Sequence, residues 1–256
     1  MNSIRFITGQ PALLAGRALV VTDLHLGIER EFYGSGIKFP SQTSRIMESI
    51  DALAGSTGAE RLIILGDVKH KVPGISVQEL REIPEFLKHF SERMKVDVIL
   101  GNHDAGIEDF APGGVTMHPG SGFSSDGFYF THGHAWPEPG FLGCSHVIAG
   151  HHHPFVEFRD RLGYRFREAV WARGALRREP LSRKFGKLPR SIPEAVFVPA
   201  FSHLAGGDAI NGAQAGGDAA NFIGPLMKSA DQEKLKVSLL DGTYLGTLAG
   251  LRKAKL

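Results

Sequence analysis

One cysteine, two tryptophans and four tyrosines are all that this chain of 256 residues contains of those types. The lone Cys144 excludes a disulfide framework and leaves no thiolate cage for a metal; it reads as a small buried hydrophobe. No stretch approaches the roughly 20 consecutive apolar residues that cross a bilayer. Near the start, Gly9, Gln10, Pro11 and Gly16 interrupt any apolar core of a signal peptide. The expectation is a soluble, cytoplasmic protein with no membrane partner. There is no G-x-S-x-G elbow and no phosphate-binding Gly-Lys-Ser/Thr loop.

Charge of one sign is scarce too, at a net +2, but it is unevenly placed. Between Arg173 and Arg190 seven basic residues (Arg173, Arg177, Arg178, Arg183, Lys184, Lys187, Arg190) face one acid, Glu179. Such a strip attracts an anionic partner such as nucleic acid, or it is simply a solvated, mobile loop. The remaining composition, 42% hydrophobic and 22% charged, is that of a globular protein able to bury a substantial core.

Short apolar runs alternate with helical patterns through the first 150 or so residues. "ALVV" (18–21), "RLIIL" (61–65), "VDVIL" (96–100), "FYF" (128–130) and "HVIA" (146–149) read as strands covered on both faces. Ile46, Ile50 and Leu53 share one helical face, with Ser41 as the starting cap and Gly55 as the stop. "SVQELREIPEFLKHFSERM" reads as helical, with a kink or a break at Pro84. Strand–helix–strand order argues for a layered α/β fold. Further on, a hairpin turns near 161–163, strands follow at 194–201 and 236–248 with an Asp241-Gly242 turn, and 205–224 is expected to be irregular. No repeat or linker interrupts the chain. It reads as one domain over 1–256, with a motif-bearing core at 1–155 and the strands and basic loop of 156–256 extending it.

Each of the five early strands ends in a polar cluster: Asp23 and His25; Asp67; Asn102, His103 and Asp104; His132 and His134; then His151, His152 and His153. Open α/β sheets bind ligands outside the carboxyl ends of their strands. In an extended segment residues i and i+2 point the same way, so Asp23 and His25 can share an ion, and His151 and His153 can face the site while His152 turns away. The glycines before Asp67, Asn102 and His151 allow sharp turns. The nitrogen and oxygen donors suit manganese, iron or zinc better than calcium.

In this order, D-x-H, G-D, G-N-H-D, H-G-H and G-H-x-H resemble the calcineurin-like metallophosphoesterase superfamily. "DLHLG", "ILGDVKH" and "DGTYLG" are more narrowly similar to archaeal phosphoesterases related to SbcD-type exonucleases and to bacterial DNA-ligase-associated phosphoesterases. The resemblance implies a four-layer α/β/β/α sandwich, with the strands after His153 in its second sheet. It implies two divalent ions, manganese first and iron, zinc or cobalt otherwise, bridged by Asp67. Asp23, His25 and His153 would complete one site, and Asn102, His132 and His151 the other. His103 would stand beside the scissile phosphate, with Asp104 holding its ring. Where many members carry an acid, three residues after the bridging Asp, this chain has His70. His70, His134 and His152 either line the site or are ordinary structural histidines, and His152 is expected to be dispensable for metal. The isolated His89 and His118 read as structural.

Two divalent ions against the charges of Asp23 and Asp67 leave a positive shell that should hold a phosphate, with water as nucleophile. His103 can protonate the leaving oxygen. Little chain is left for a capping domain, so an open site and a phosphodiester substrate, DNA or RNA among them, are expected. A nuclease role in DNA repair or processing follows from the resemblance alone. The alternatives are a phosphomonoesterase or cyclic-nucleotide phosphodiesterase, and an inactive scaffold.

Overall fold

A computed structural model describes residues 3–207, 209–212 and 224–254. Two sheets pack face to face. The first runs in order β1 (Ile4–Phe6), β2 (Leu13–Ala15), β3 (Ala18–Val21), β4 (Arg61–Ile64), β5 (Lys95–Ile99) and β6 (Val115–His118). Strands β3 to β6 are parallel, so their carboxyl ends lie along one edge. Strands β7 (Phe123–Ser125), β8 (Phe128–Thr131), β9 (His146–Ala149), β10 (Phe155–Arg159), β11 (Arg165–Ala175), β12 (Glu194–Phe197), β13 (Lys236–Leu239) and β14 (Tyr244–Thr247) build the second sheet. Its order is β14-β13-β11-β12-β9-β8-β7, with β10 paired to β11. The parallel trio β8, β9 and β12 aligns Thr131, Ala149 and Phe197.

Three apolar layers hold the four structural ones together. Val20, Ile63 and Ile99 meet Phe128, Phe130, Ile148 and Trp171 between the sheets. Helices α1 (Thr43–Thr57) and α2 (Val77–Ser91) cover the first sheet through Ile46, Ile50, Ile83, Phe86 and Phe90. On the outside of the second sheet, α3 (Arg178–Phe185), α4 (Pro225–Ser229) and α5 (Leu248–Lys253) bury Leu181, Leu226, Leu248 and Leu251. This is the expected α/β/β/α sandwich.

Several local expectations need correction. Helix α1 passes through Gly55 and stops at Gly58, which adopts the left-handed conformation (φ 65°) that a helix end uses. The hydroxyl of Ser41 accepts from the Thr43 amide, but the residue at the cap position is Gln42. Helix α2 runs unbroken through Pro84, held by its buried face and by a capping box between Ser76 and Glu79. The strand expected over 194–201 leaves the sheet at Phe197. Its continuation crosses to the other sheet, where the amides of Phe201 and Ser202 donate to the carbonyls of Thr22 and Asp23. The hairpins near 161–163 and at Asp241-Gly242 form as expected. Of the stretch 205–224, residues 208 and 213–223 lie outside the described residues.

The sheets are also tied at their opposite end. Asp97 on β5, 1% exposed, accepts from Arg61 Nε and His118 Nε2, each at 2.7 Å. Arg61 continues to Ser125 of the second sheet at 2.8 Å. The His118 ring stacks on Phe123 at 3.8 Å.

Candidate metal centre

Five strand ends from the two sheets converge on one point. Asp23, His25 and His153 bring their ligand atoms within 4.8 Å of one another, and so do Asp67, His132 and His151. Asn102 joins the second group, its Oδ1 lying 3.1 Å from His132 Nε2. All seven residues anticipated as ligands are therefore gathered in one place.

The backbone that does this is not extended. Asp23 (φ 54°), His25 (44°), Asp67 (49°), His151 (71°) and His153 (36°) are all left-handed. Each such residue without a glycine's freedom costs about 1–3 kcal/mol, and such strain collects at functional sites. Asp23 and His25 share a side because two left-handed residues bracket Leu24, not because a strand alternates. The same holds for His151 and His153 about His152. The preceding glycines also differ from expectation. Only Gly66 has a positive φ (94°). Gly101 and Gly150 are needed for space: a Cβ at Gly101 would lie 2.1 Å from Asp67 Oδ1, and one at Gly150 1.9 Å from Thr22 Oγ1.

Three histidine rings are fixed alike. His132, His153 and His103 each turn Nδ1 to a backbone carbonyl, of Leu65, Gly206 and His70 respectively, each at 2.6 Å. A proton on Nδ1 makes that bond and leaves Nε2 to face the centre. Around Asp67 Oδ2 stand Nε2 of His132 at 3.5 Å, His25 at 3.7 Å and His103 at 4.0 Å. Those separations exceed hydrogen bonds and leave room between the donors. Asp23 Oδ1 is buried without a hydrogen bond of acceptable geometry, with His153 Nε2 3.2 Å away. A buried carboxylate oxygen so placed, among imidazole nitrogens with tied-off hydrogens, fits a cation.

Burial and mutual charge set the ionisation. Burial alone would raise Asp23, but His153 and His132 bring it down to about 2. Asp67 is likewise opposed by burial and held below the ordinary carboxylate range by His132, His25 and His103. Burial works against the charged form of His132 as well, yet Asp67, Asp23 and the Leu65 carbonyl lift it to about 9. His153 is raised by Asp23 against its own burial. Burial pushes His25 down to about 3 despite both aspartates, so it is neutral. At neutral pH, then, His132 is held as a buried imidazolium beside the two carboxylates.

The surroundings of His103 differ from expectation. Asp104 does not hold its ring. The buried Asp104 carboxylate accepts from the amides of Gly101 (2.8 Å) and Lys69 (3.1 Å), joining the turns after β4 and β5. Burial, with Asp67 nearby, raises Asp104 to about 6. His70 also gains partners. Its Nε2 meets Glu31 Oε1 at 2.7 Å and its Nδ1 meets His25 Nδ1 at 3.2 Å, so Glu31, His70 and His25 form a line ending at the centre. The loop carrying His70 is pinned by Glu79, whose carboxylate accepts from the amides of His70, Lys71 and Ser76. Glu31 and Glu79 escaped the sequence reading. A capping-box spacing marks Glu79, whereas nothing local marks Glu31.

Of the other histidines, His134 lies against His132 and His151, and burial together with those neighbours lowers it to about 4. The His152 ring turns onto Phe197 instead, and burial keeps it neutral. His89 and His118 pair with Asp51 and Asp97. The basic strip is partly a helix. Arg183 pairs with Glu179 within α3, Arg178 donates to the carbonyls of Pro189 and Arg190, and Arg173 lies over the Phe6 ring.

No protein-family model matches the chain, and no curated protein matches it. Among solved structures it is similar to the nuclease MPE of Pseudomonas putida, at a TM-score of 0.56 and 22% identity, over 95% of this chain and all of that one. The fold is of the metallophosphoesterase type. The chain is also similar to YfcE, a phosphoesterase from E. coli, at a TM-score of 0.37 and 19% identity, over 56% of this chain and 73% of that one. A TM-score so low adds nothing to the assignment. No helix among the described residues is long and apolar enough to cross a membrane.

Proposed function

We propose that the protein is a phosphodiesterase of the calcineurin-like metallophosphoesterase superfamily that works with two divalent ions and accepts nucleic acid. The observation carrying this reading is the double cluster: two carboxylates, each in a separate group with imidazole nitrogens, with the outer nitrogens of His132 and His153 tied to carbonyls and that of His25 to His70. Asp23, His25 and His153 would hold one ion; His132, His151 and Asn102 the other; Asp67 both. The donor set favours manganese, with iron, zinc or cobalt as alternatives. Bound there, such ions would polarise a phosphoryl group and make water nucleophilic at neutral pH.

The chain's own groups do the rest. With Nδ1 of His103 engaged by the His70 carbonyl, any proton it gives to the leaving oxygen comes from Nε2, the atom 4.0 Å from Asp67. Asp67 Oδ1 accepts the His103 amide at 2.9 Å, which fixes the base of that side chain relative to the centre. Asp104 acts on the backbone and not on the proton. The likeness to a nuclease and the positive strip at Arg173–Arg190 support nucleic acid as substrate.

The test is hydrolysis, with added Mn²⁺, of a chromogenic phosphodiester, the matching monoester, and single- and double-stranded DNA and RNA. Asp67→Asn and His103→Ala are each expected to lose at least about 100-fold in kcat/KM on the diester. Full activity in either variant contradicts the assigned roles, and cleavage of the monoester alone removes the phosphodiesterase reading.

A further inference from the structure

Next to the Asp67 group lies a cavity of about 630 Å³ that the assignment above leaves unused. Asn102 and His151 form its inner wall, so it opens onto the place proposed for the scissile phosphate. Trp136, Pro180 and Pro225 line it further out, together with the exposed Lys228. Its volume is that of a small-molecule site.

The basic segment contributes Pro180 of α3 to the outer wall. Phe185 of α3 stands edge-on to Trp136, ring centroids 5.5 Å apart at 83°, and so fixes the indole. Arg177, just before α3, donates to the Lys228 carbonyl and ties that helix to α4. An indole and two proline rings form the apolar part of this open cavity, beside His134 and Ser229, and offer a second charged group no partner. A flat, weakly polar ring system suits it. The cation belongs at the rim, where an anion stays hydrated. A ligand uniting a phosphate at the metal end, a planar ring in the slot and a further anion at the rim is a nucleotide within a strand.

We infer that this cavity binds the nucleoside esterified to the scissile phosphate, with its base stacked on Trp136 and a neighbouring phosphate near Lys228. This rests on the phosphodiesterase reading, and it assigns Trp136 as the residue that favours nucleic acid over small diesters.

Two substrates sharing one leaving group isolate the cavity: thymidine 5′-(p-nitrophenyl phosphate) and methyl p-nitrophenyl phosphate. Stacking on an aromatic side chain is expected to favour the thymidine ester by about 10- to 100-fold in kcat/KM. Trp136→Ala should abolish that preference without changing the methyl ester, and Trp136→Phe should keep most of it. Equal losses on both esters, or no loss on either, overturn the inference. Fluorescence decides independently of turnover. The second tryptophan, Trp171, is 3% exposed between the sheets, so saturable quenching by thymidine 5′-monophosphate reports Trp136 and should vanish in Trp136→Phe. Absent quenching refutes the cavity assignment even if the diester is cleaved. If the wild type cleaves neither ester, the phosphodiesterase reading falls, and the quenching result still stands for or against the cavity.

Discussion

Replacing Asp97 by asparagine removes one charge and almost no volume, from the end of the sandwich opposite the candidate metal centre. Burial alone would raise the Asp97 carboxyl; its hydrogen bonds to His118 and Arg61, and the guanidinium charge, instead lower it from 3.8 to about 2. After discounting for solvent screening, that difference corresponds to about 2 kcal/mol of folding stability at neutral pH. Asparagine should forfeit about that much, and alanine about 3–5 kcal/mol, because Arg61 and His118 then lose their shared acceptor. For a chain of this size the asparagine variant should melt about 4–8 °C lower at pH 7. The acid dependence carries a sign. A carboxyl lowered by folding contributes fully above its unfolded value of 3.8 and ceases to contribute as pH falls through about 2. The gap between wild type and Asp97→Asn should therefore close across that window. Thermal and urea unfolding at a series of pH values measure it. Equal midpoints at pH 7, or a gap that stays constant into acid, would refute the latch.

Other expectations concern the centre itself. Ligation needs a neutral His132, whose value is raised to about 9, so apparent Mn²⁺ affinity should climb about tenfold per pH unit from 7 towards 9, with proton release visible by calorimetry in buffers of different ionisation heat; a flat profile contradicts this. The metal-free protein should lose the His132 contribution over the same range, since a histidine raised by folding stabilises fully below 6.5 and not above its folded value. Glu31→Gln should weaken metal binding about 10-fold or more through His70 and His25, while unfolding stays near wild type because Glu31 is 68% exposed; unchanged metal titrations would remove Glu31 from the site. Gly101→Ala should reduce metal content and destabilise by about 1–3 kcal/mol, as its Cβ would overlap Asp67. His152→Ala should melt lower yet retain two ions per chain by elemental analysis, and loss of one would place His152 among the ligands.

Much of the fold was legible because the parallel strands are short, apolar and each followed by a polar cluster. Local stop signals were less reliable: Gly55 and Gly58 look alike in sequence, and only the helix itself selects which one turns left-handed. Pro84 is tolerated because Ile83, Phe86 and Phe90 hold α2 to the sheet around it. The turn joining β7 and β8 carries the Asp-Gly signal of a tight hairpin at Asp126-Gly127, both residues having positive φ. At the site, the residues converge as anticipated, but alternation along a strand was the wrong cause. Left-handed backbone at Asp23 or His151 has no sequence mark beyond the tolerance of Asp and His for it. The Glu31–His70–His25 line and the Arg61–Asp97–His118 latch join distant segments, so no local pattern announces either.

The five left-handed residues carry a lesson for transplanting this chemistry. Copying the side chains of Asp23, His25, Asp67, His151 and His153 onto relaxed strands of another scaffold would aim them differently, because here the direction is stored in φ angles. The glycines beside them, Gly66, Gly101 and Gly150, would have to travel too, along with the carbonyls that orient the rings. The smallest portable unit is therefore a set of bent main-chain segments, and a designer who grafts only functional groups would recover the composition of the centre without its shape.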